Sequence, residues 1–350
     1  MKTRWLRNFL VGLLGAVVIG LGLSLFTATT ATPRFYYSIT KLGTPGNLEG
    51  YTWGINDGGQ VIGGASPRNG FYRAFLWNNG TISGLGTLGG RNSYARDINN
   101  KGQVVGSADT SSVSGRAFLW NNGTMSYLGT LGGSDSYAYG INNREQVVGV
   151  AETSSDSSHA FLWNNGTMSD LGTLGGSYSY AFGINNRGQV VGYAGTTSNS
   201  FHAFLWNNGT MSDLGTLGGN LSFAYSINNK GQVVGGALPA LGSYHAFLWN
   251  NGTMSDLGTL GGSSSVANSI NNRGQVVGYA DTSSGSSHAF VWRNGTMIDL
   301  NSLIPANSGW TLNSAGDINN NGQIVGYGQF NGEDRAFLLT PTWVTKIGAS

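Results

Sequence analysis

One position of a repeated segment carries the residue types that could do chemistry. It is occupied in turn by Arg73, Arg116, His159, His202, His245, His288 and Arg335. If these side chains formed one ring, they would bind an anionic ligand more tightly as the imidazoles protonate near a pKa of ~6.5. One histidine per repeat does not gather the three or four ligands that a metal ion needs, so we expect no metal site. The alternative interpretation is that each side chain hydrogen-bonds to the backbone near a loop.

The carboxylates show no catalytic pattern. One aspartate recurs per repeat, as Asp170, Asp213, Asp256 and Asp299, whereas a glycosidase needs two carboxyl groups about 5–10 Å apart. The acidic residues that are unique to one repeat fall in different loops: Glu152, Asp156, Glu333 and Asp334. The Gly-Thr-Leu-Gly-Gly segments lack the lysine and the helix of a phosphate-binding loop. We therefore expect no catalytic residue, no cofactor and no enzymatic activity.

Aromatic residues in variable loops form the second set of candidate binding residues. The Asn-Asn turns hardly differ between repeats, whereas the loop before the third strand and the segment after Gly-Gly differ from copy to copy. The candidates in these segments are Tyr72, Tyr94, Tyr178 and Tyr244. Because binding residues often lie on loops above a rigid scaffold, we expect the ligand on the face that carries the variable loops. The sequence does not name the partner, and a glycan and a cell-surface protein are the two candidates.

The scaffold that must position these residues is a repeat of 43 residues. A tryptophan recurs at this spacing from Trp77 to Trp292, and an Ile-Asn pair occurs seven times from Ile55 to Ile318. Each copy reads as four short strands, and six copies have an Asn-Gly hairpin turn between the third and the fourth. Four strands repeated seven times predict an all-β, seven-bladed β-propeller. An open β-solenoid or spiral is the alternative, since the fourth-strand pattern occurs eight times.

The two ends of the repeat bear on how such a ring would close. Residues 37–43 and 343–348 both match the fourth-strand pattern. We expect a single domain over residues 35–348, in which the N-terminal strand completes the last blade. A closed ring is favoured because it removes exposed sheet edges.

The repeat resembles a known family. The tripeptide His-Ala-Phe begins at His159, His202, His245 and His288, and continues as Leu-Trp-Asn-Asn-Gly-Thr-Met-Ser-Asp-Leu-Gly in most copies. This motif is similar to that of the HAF-repeat family of bacterial extracellular proteins, and the architecture is similar to kelch and WD propellers by analogy. The resemblance implies an exported repeat protein and assigns no activity to any residue. Three repeats depart from it, with Arg73, Arg116 and Arg335 in place of histidine.

The N-terminus is typical of a targeting segment. Lys2, Arg4 and Arg7 precede an uncharged apolar run over residues 9–26 and a stretch of small residues that ends at Pro33. Residues 1–31 are predicted to be a cleaved signal peptide or, because the run is long, an N-terminal membrane anchor. Either one places the rest of the chain outside the cytoplasm. The membrane is expected as a partner only through residues 9–26.

Composition narrows the classes of function. The formal net charge of +2 gives no basic stripe, so we expect no nucleic-acid binding. The chain has no cysteine, so an exported form must be stable without disulfides. The favoured function is a non-enzymatic, exported binding or surface-interaction module. A secreted polysaccharide-active enzyme with its site on the variable-loop face, and a structural envelope component, are the alternatives.

The sequence predicts backbone strain in one turn. Glu145 stands where the six other repeats have glycine, in a turn that we expect to need a positive φ.

Overall fold

The computed structural model describes residues 34–43, 50–65, 70–113 and 115–344. Its compact unit spans Phe35–Val344. The predicted signal peptide or anchor, residues 1–31, lies outside the described residues, as do residues 345–348 of the predicted domain and residues 66–69 of one variable loop. No helix in the described part of the chain is long and apolar enough to cross a membrane.

The described residues form 28 strands arranged in seven four-stranded blades. Blade 1 contains β2 (Gly50–Ile55), β3 (Val61–Ala65), β4 (Arg73–Asn78) and β5 (Thr81–Gly84), and blade 2 contains β6 (Gly89–Ile98), β7 (Val104–Thr110), β8 (Arg116–Asn121) and β9 (Thr124–Tyr127). Blade 3 contains β10 (Gly132–Ile141), β11 (Val147–Thr153), β12 (Ser158–Asn164) and β13 (Thr167–Asp170). Blade 4 contains β14 (Gly175–Ile184), β15 (Val190–Thr196), β16 (Phe201–Asn207) and β17 (Thr210–Asp213).

The remaining three blades follow the same order. Blade 5 contains β18 (Gly218–Ile227), β19 (Val233–Pro239), β20 (His245–Asn250) and β21 (Thr253–Asp256), and blade 6 contains β22 (Gly261–Ile270), β23 (Val276–Thr282), β24 (Ser287–Arg293) and β25 (Thr296–Asp299). A single 3-10 turn (Leu300–Leu303) then leads to blade 7, with β26 (Trp310–Ile318), β27 (Ile324–Phe330) and β28 (Glu333–Val344). The N-terminal strand β1 (Arg34–Lys41) pairs with β28 and completes this blade, as predicted.

The ring is closed by hydrogen bonds that run from blade to blade. In each blade the Nδ2 of one asparagine donates to the carbonyl oxygen of its counterpart in the next blade, at 2.9–3.1 Å. The bond from Asn319 to Asn56 joins the last blade to the first. The seven asparagines are Asn56, Asn99, Asn142, Asn185, Asn228, Asn271 and Asn319. The fold is therefore an all-β propeller, and the open-solenoid alternative does not describe it.

A second belt runs beside the first. The backbone N–H of the next residue in each turn donates to the Oδ1 of its counterpart in the following blade, at 2.8–2.9 Å. The members of this belt are Asp57, Asn100, Asn143, Asn186, Asn229, Asn272 and Asn320. Together the belts explain why the Ile-Asn-Asn segment hardly varies: each asparagine bridges two blades.

Neighbouring blades pack face to face through apolar clusters. The phenylalanine of the repeated motif is fully buried in every blade, as Phe161 is in blade 3. The motif tryptophans, such as Trp163, are half-buried and pack against the edge of these clusters. The tryptophan follows the phenylalanine by two residues and therefore lies on the same face of the strand. The phenylalanine fills the core between blades, and the tryptophan borders it.

Tight turns and long loops lie on opposite faces. First and second strands, and third and fourth strands, are joined by short turns on what we call the tight-turn face. The connections between second and third strands, and between blades, lie on the other, variable-loop face. The Asn-Gly hairpins have positive φ at both positions, for example +48° at Asn165 and +85° at Gly166, as a type I′ turn requires.

Candidate functional site

The first strand of each blade lines a cavity along the axis of the ring. Its wider part, about 580 Å³, opens toward the variable-loop face, and a narrower polar part, about 290 Å³, lies toward the asparagine belts. One register of the first strand supplies residues to both parts: Trp53, Arg96, Tyr139, Phe182, Tyr225, Asn268 and Gly316. This register lies two residues before the isoleucine of the Ile-Asn pair. The cavity is therefore the place where seven equivalent positions converge.

Five of these side chains form a continuous arc over blades 1–5. The Arg96 guanidinium lies 4.9 Å from the Trp53 ring and 5.9 Å from the Tyr139 ring, measured from its carbon to each centroid. Phe182 continues the arc, with its ring centroid 5.1 Å from that of Tyr139 and 5.6 Å from that of Tyr225. Such separations are those of attractive aromatic and cation–π contacts. The arc is a largely aromatic wall that contains one fixed positive charge.

The rest of the ring is open because blades 6 and 7 supply small residues. Gly316 has no side chain, and Asn268 donates its Nδ2 to the carbonyl of Ala315 at 2.8 Å. Beside this gap the Tyr51 ring lies 6.4 Å from Trp53 and 5.9 Å from Tyr327, between ring centroids. Those three aromatic residues are 37%, 45% and 43% exposed, in that order, which is unusual for large apolar groups. The gap and the exposed rings together give the cavity a mouth of defined shape.

Three carboxylates line the polar part of the cavity, and Asp57, already described in the second belt, is joined there by Asp97 and Asp317. Asp97 accepts hydrogen bonds from the backbone N–H groups of Ile98 and of Ile141 in the next blade. Asp317 accepts in the same way from Ile318 and from Ile55 in the next blade, and also from the Ser269 hydroxyl at 2.6 Å. Asp97 and Asp317 therefore clamp neighbouring blades together.

Burial changes the protonation of Asp97 and Asp317. It raises the pKa of Asp97 to about 7, assisted by the negative charge of Asp317 and opposed by the two backbone hydrogen bonds. Burial also raises the pKa of Asp317, against its hydrogen bonds. A carboxyl group that titrates near neutral pH inside a cavity can donate or accept a proton there.

The tyrosines of the arc remain hydrogen-bond donors at physiological pH. Burial raises the pKa of Tyr225 to about 12 and that of Tyr139 above its usual value, although Arg96 acts in the opposite direction on Tyr139. The register from Trp53 to Gly316 thus offers two phenolic hydroxyls, one guanidinium and one amide to a bound molecule, and Tyr51 and Tyr327 line the cavity beside it. No group of three or more acidic or histidine side chains among the described residues could hold a metal ion.

The predicted His/Arg set does not converge. Each histidine Nδ1 lies 2.7 Å from the Oδ2 of the aspartate eleven residues later, in its own blade: His159–Asp170, His202–Asp213, His245–Asp256 and His288–Asp299. The other aspartate oxygen accepts a backbone N–H, as Asp170 does from Gly172. Each pair links the start of the third strand to the end of the fourth strand of the same blade. Their partner is a carboxylate, where the alternative interpretation expected backbone.

The three arginines of the set have separate environments. Arg73 reaches the carbonyl of Tyr72 at 3.4 Å, and Arg335 pairs with Glu333. Arg116 lies against the Tyr127 ring at 5.4 Å and leaves a buried Nη1 without a hydrogen-bond partner. None of the seven residues of the set lines the axial cavity. The seven side chains therefore do not meet at the axis, because third strands lie away from it, and binding of an anion by any of them stays a prediction.

The predicted tyrosines are also dispersed. Tyr72 and Tyr94 lie 5.3 Å apart between two blades, and Tyr244 lies 5.9 Å from Phe223. Tyr178 is 46% exposed. None of the four lines the axial cavity. They share the variable-loop face but do not form one site.

A signal for the cavity is present in the sequence. The register from Trp53 to Gly316 holds six different residue types in seven repeats, while the Ile-Asn pair two residues later is invariant. The repeat keeps its fold while this position changes, which makes the position a candidate for binding. A second signal links the His–Asp pairs: the four repeats with histidine are the four with aspartate eleven residues later.

Comparisons with known proteins agree on the fold. A family model described as "Protein of unknown function (DUF3466)" matches residues 224–331, about a third of the chain. No curated protein sequence matches significantly. The β-propeller domain of the Trilobed protease from Pyrococcus furiosus is similar in structure, with a TM-score of 0.56 at 10% identity, over 85% of this chain and 95% of that domain.

A peptidase also contains a similar structure. The puromycin-hydrolyzing peptidase of Mycobacterium tuberculosis matches with a TM-score of 0.54 at 10% identity, over 84% of this chain. The match covers 52% of that peptidase, so this chain spans about half of its length. At these identities the likeness shows the fold alone.

The comparisons correct one expectation. The prediction that this chain is not an enzyme rested on the lack of a catalytic pattern in the sequence. The similar structures contradict that prediction. Propellers of the same fold are part of a protease and a peptidase. A propeller without an evident catalytic motif can therefore be part of an enzyme, so the lack of such a motif in this chain does not exclude activity.

Proposed function

We propose that this protein is an exported propeller that recognises a carbohydrate in its axial cavity. The observation that carries the proposal is the convergence of seven variable positions on one cavity, with an aromatic arc over blades 1–5 and a gap at blades 6 and 7. The folding of the repeat does not require this asymmetry. It is the asymmetry expected of a site that must fit one ligand.

The chemistry of the wall favours a sugar. A sugar ring has C–H faces that pack on exposed aromatic rings, here Tyr51, Trp53 and Tyr327. It also has hydroxyl groups that hydrogen-bond to guanidinium, amide and phenol groups, here those of Arg96, Asn268 and Tyr225. A cavity of about 580 Å³ has the size of small-molecule sites in general.

A matched pair of variants tests the site. Trp53→Ala removes an exposed ring of the cavity mouth, and Tyr178→Ala removes a similarly exposed ring of the outer surface, at 45% and 46% exposure. Glycans found on an array are titrated into both variants by calorimetry. We expect binding to weaken at least ~10-fold in Trp53→Ala and to stay unchanged in Tyr178→Ala. Equal affinities, or an array without any bound glycan, would refute the proposal.

Acid–base catalysis on the bound sugar is the second candidate function. The observation that favours it is the pKa of Asp97, raised to about 7 by burial at the polar part of the same cavity. Asp97→Asn is then expected to abolish release of reducing ends from a bound oligosaccharide while leaving its affinity within about threefold. Hydrolysis that persists in Asp97→Asn, or no hydrolysis by the parent, would exclude this function.

The export part of the proposal rests on the N-terminal sequence. Basic residues, the apolar run at 9–26 and the small residues before Pro33 support secretion to the cell surface or beyond. The His-Ala-Phe motif supports membership of the HAF-repeat family. Fusion of residues 1–33 to a reporter that is active only outside the cytoplasm tests export. An inactive reporter would contradict it.

A further inference from the structure

The tight-turn face carries an arc of positively charged side chains. The third position of the turn between first and second strands is basic in five consecutive blades: Lys101, Arg144, Arg187, Lys230 and Arg273. All five are exposed. Each follows a residue of the second asparagine belt, so the turns that carry them are hydrogen-bonded to one another around the ring. The five cations are therefore held in a fixed arc over blades 2–6.

Little negative charge opposes this arc. Lys101 pairs with Glu145 at 2.7 Å. Asp57 accepts hydrogen bonds from the side chains of Asn100 and Asn320. The other four cations of the arc have no ion pair with any described residue. The tight-turn face thus presents four unpaired positive charges within one propeller.

The opposite face has the opposite charge balance. Acidic residues of the variable loops and the strand ends next to them include Asp109, Asp135, Glu152, Asp156, Asp281, Glu333 and Asp334. The lysine and arginines of that side are Lys41, Arg73, Arg91, Arg116 and Arg335. The propeller is consequently polarised along its axis, although the formal net charge of the whole chain is only +2. Such a molecule orients its tight-turn face toward a negative surface.

The N-terminal strand enters the propeller at this same face. Ser38 bonds to Thr340 and Leu42 to Ala336, so β1 runs antiparallel to β28. Because third strands run from the variable-loop face to the tight-turn face, β1 runs the other way and Arg34 lies at its tight-turn end. The apolar run ends at residue 26. Eight residue steps separate residue 26 from Arg34, so this tether between the apolar run and the propeller spans less than about 30 Å.

We propose that residues 9–26 anchor the chain and that the tight-turn face docks on an anionic lipid surface. The short tether keeps this face near the bilayer, and the basic arc complements anionic headgroups. The mouth of the axial cavity on the variable-loop face then points away from the membrane, accessible to ligands. This inference is independent of the carbohydrate proposal, since docking and ligand binding use opposite ends of the propeller.

The chain has no cysteine, so single labels can be placed at will. Thr253→Cys and Leu241→Cys put a fluorophore on exposed positions of the two faces of blade 5. The full-length protein is reconstituted in phosphatidylcholine vesicles with or without phosphatidylglycerol, and a headgroup-linked nitroxide serves as a short-range quencher. We expect stronger quenching at residue 253 than at residue 241, and a larger difference with the anionic lipid.

Charge variants test whether the arc is responsible. Arg187→Gln with Lys230→Gln should lower the ratio of docked to undocked protein roughly 30-fold, because each basic residue near an anionic surface contributes about fivefold. Arg73→Gln with Arg91→Gln, on the other face, should change it little. For the parent protein, the ratio of docked to undocked protein should rise as the ionic strength is lowered.

Three results would overturn the inference. Quenching at residue 241 that equals or exceeds quenching at residue 253 would place the wrong face at the membrane. Docking that the Arg187/Lys230 variant leaves intact would remove the role of the arc. Protein from the native membrane or medium that begins after residue 31 would show that the anchor is cleaved, and a soluble acidic polysaccharide would then be the remaining class of partner.

Discussion

Replacing Glu145 by glycine should stabilise the propeller. Glu145 has φ = +68°, in the left-handed region, while the six equivalent glycines have φ between +76° and +85°. The turn therefore has the same shape in all seven blades, and one blade builds it with a side chain that disfavours it. The sequence predicted this positive φ, and the structure confirms it.

The size of the effect follows from three contributions. Left-handed backbone costs an L-residue about 1–2 kcal/mol, which glycine avoids. The greater freedom of glycine in the unfolded chain takes back about 0.5–1 kcal/mol. Loss of the exposed ion pair with Lys101, 2.7 Å long, removes a further ~0.2–1 kcal/mol. The net gain is small in the parent and close to 1 kcal/mol when the ion pair is already absent.

Glu145→Ala is the matched control, because it also loses the ion pair but keeps the disfavoured backbone. Glu145→Gly should melt about 1 °C above Glu145→Ala, given an unfolding entropy of ~2.1 cal/mol/K per residue over roughly 310 residues. In a Lys101→Gln background, Glu145→Gly should also melt above its own parent. Differential scanning calorimetry measures both differences. A melting temperature of Glu145→Gly at or below that of Glu145→Ala would refute the reasoning.

Three further perturbations test the scaffold and the cavity. Gly149→Ala should destabilise by about 3 kcal/mol in urea unfolding, since the added Cβ would overlap the carbonyl oxygen of Tyr137; a loss below 1 kcal/mol would contradict this. Asn185→Ala removes two donated and two accepted hydrogen bonds and should lower the melting temperature more than Asn186→Ala does. Asp97, with its pKa raised to about 7, favours the folded state fully below pH 4 and loses that contribution as the pH rises through 7. Unfolding free energy should therefore fall from pH 4 to pH 8, and less steeply in Asp97→Asn.

The recurring residues of the sequence predicted the fold well. A period of 43 residues, four β-type stretches in each copy and an Asn-Gly turn in six of the seven leave few architectures, because each blade must bury its faces against a neighbour. The pairing of β1 with β28 followed from the spare fourth strand. The same periodicity favoured a set of residues that does not line the axial cavity. Recurring histidines such as His159 were candidates for binding because they recur. A pair that stabilises every blade, such as His159–Asp170, recurs for the same reason.

The sequence by itself determined the blade: its strands, its turns, the strained turn at Glu145 and the order around the ring. These features depend on residues close together in the chain and on a period that repeats them. Only the tertiary structure decided which positions meet at the axis. Trp53 and Tyr225 are separated by four blades of sequence but line one cavity, because ring closure places every first strand innermost. The pKa of Asp97 is a tertiary property for the same reason, since burial between blades sets it.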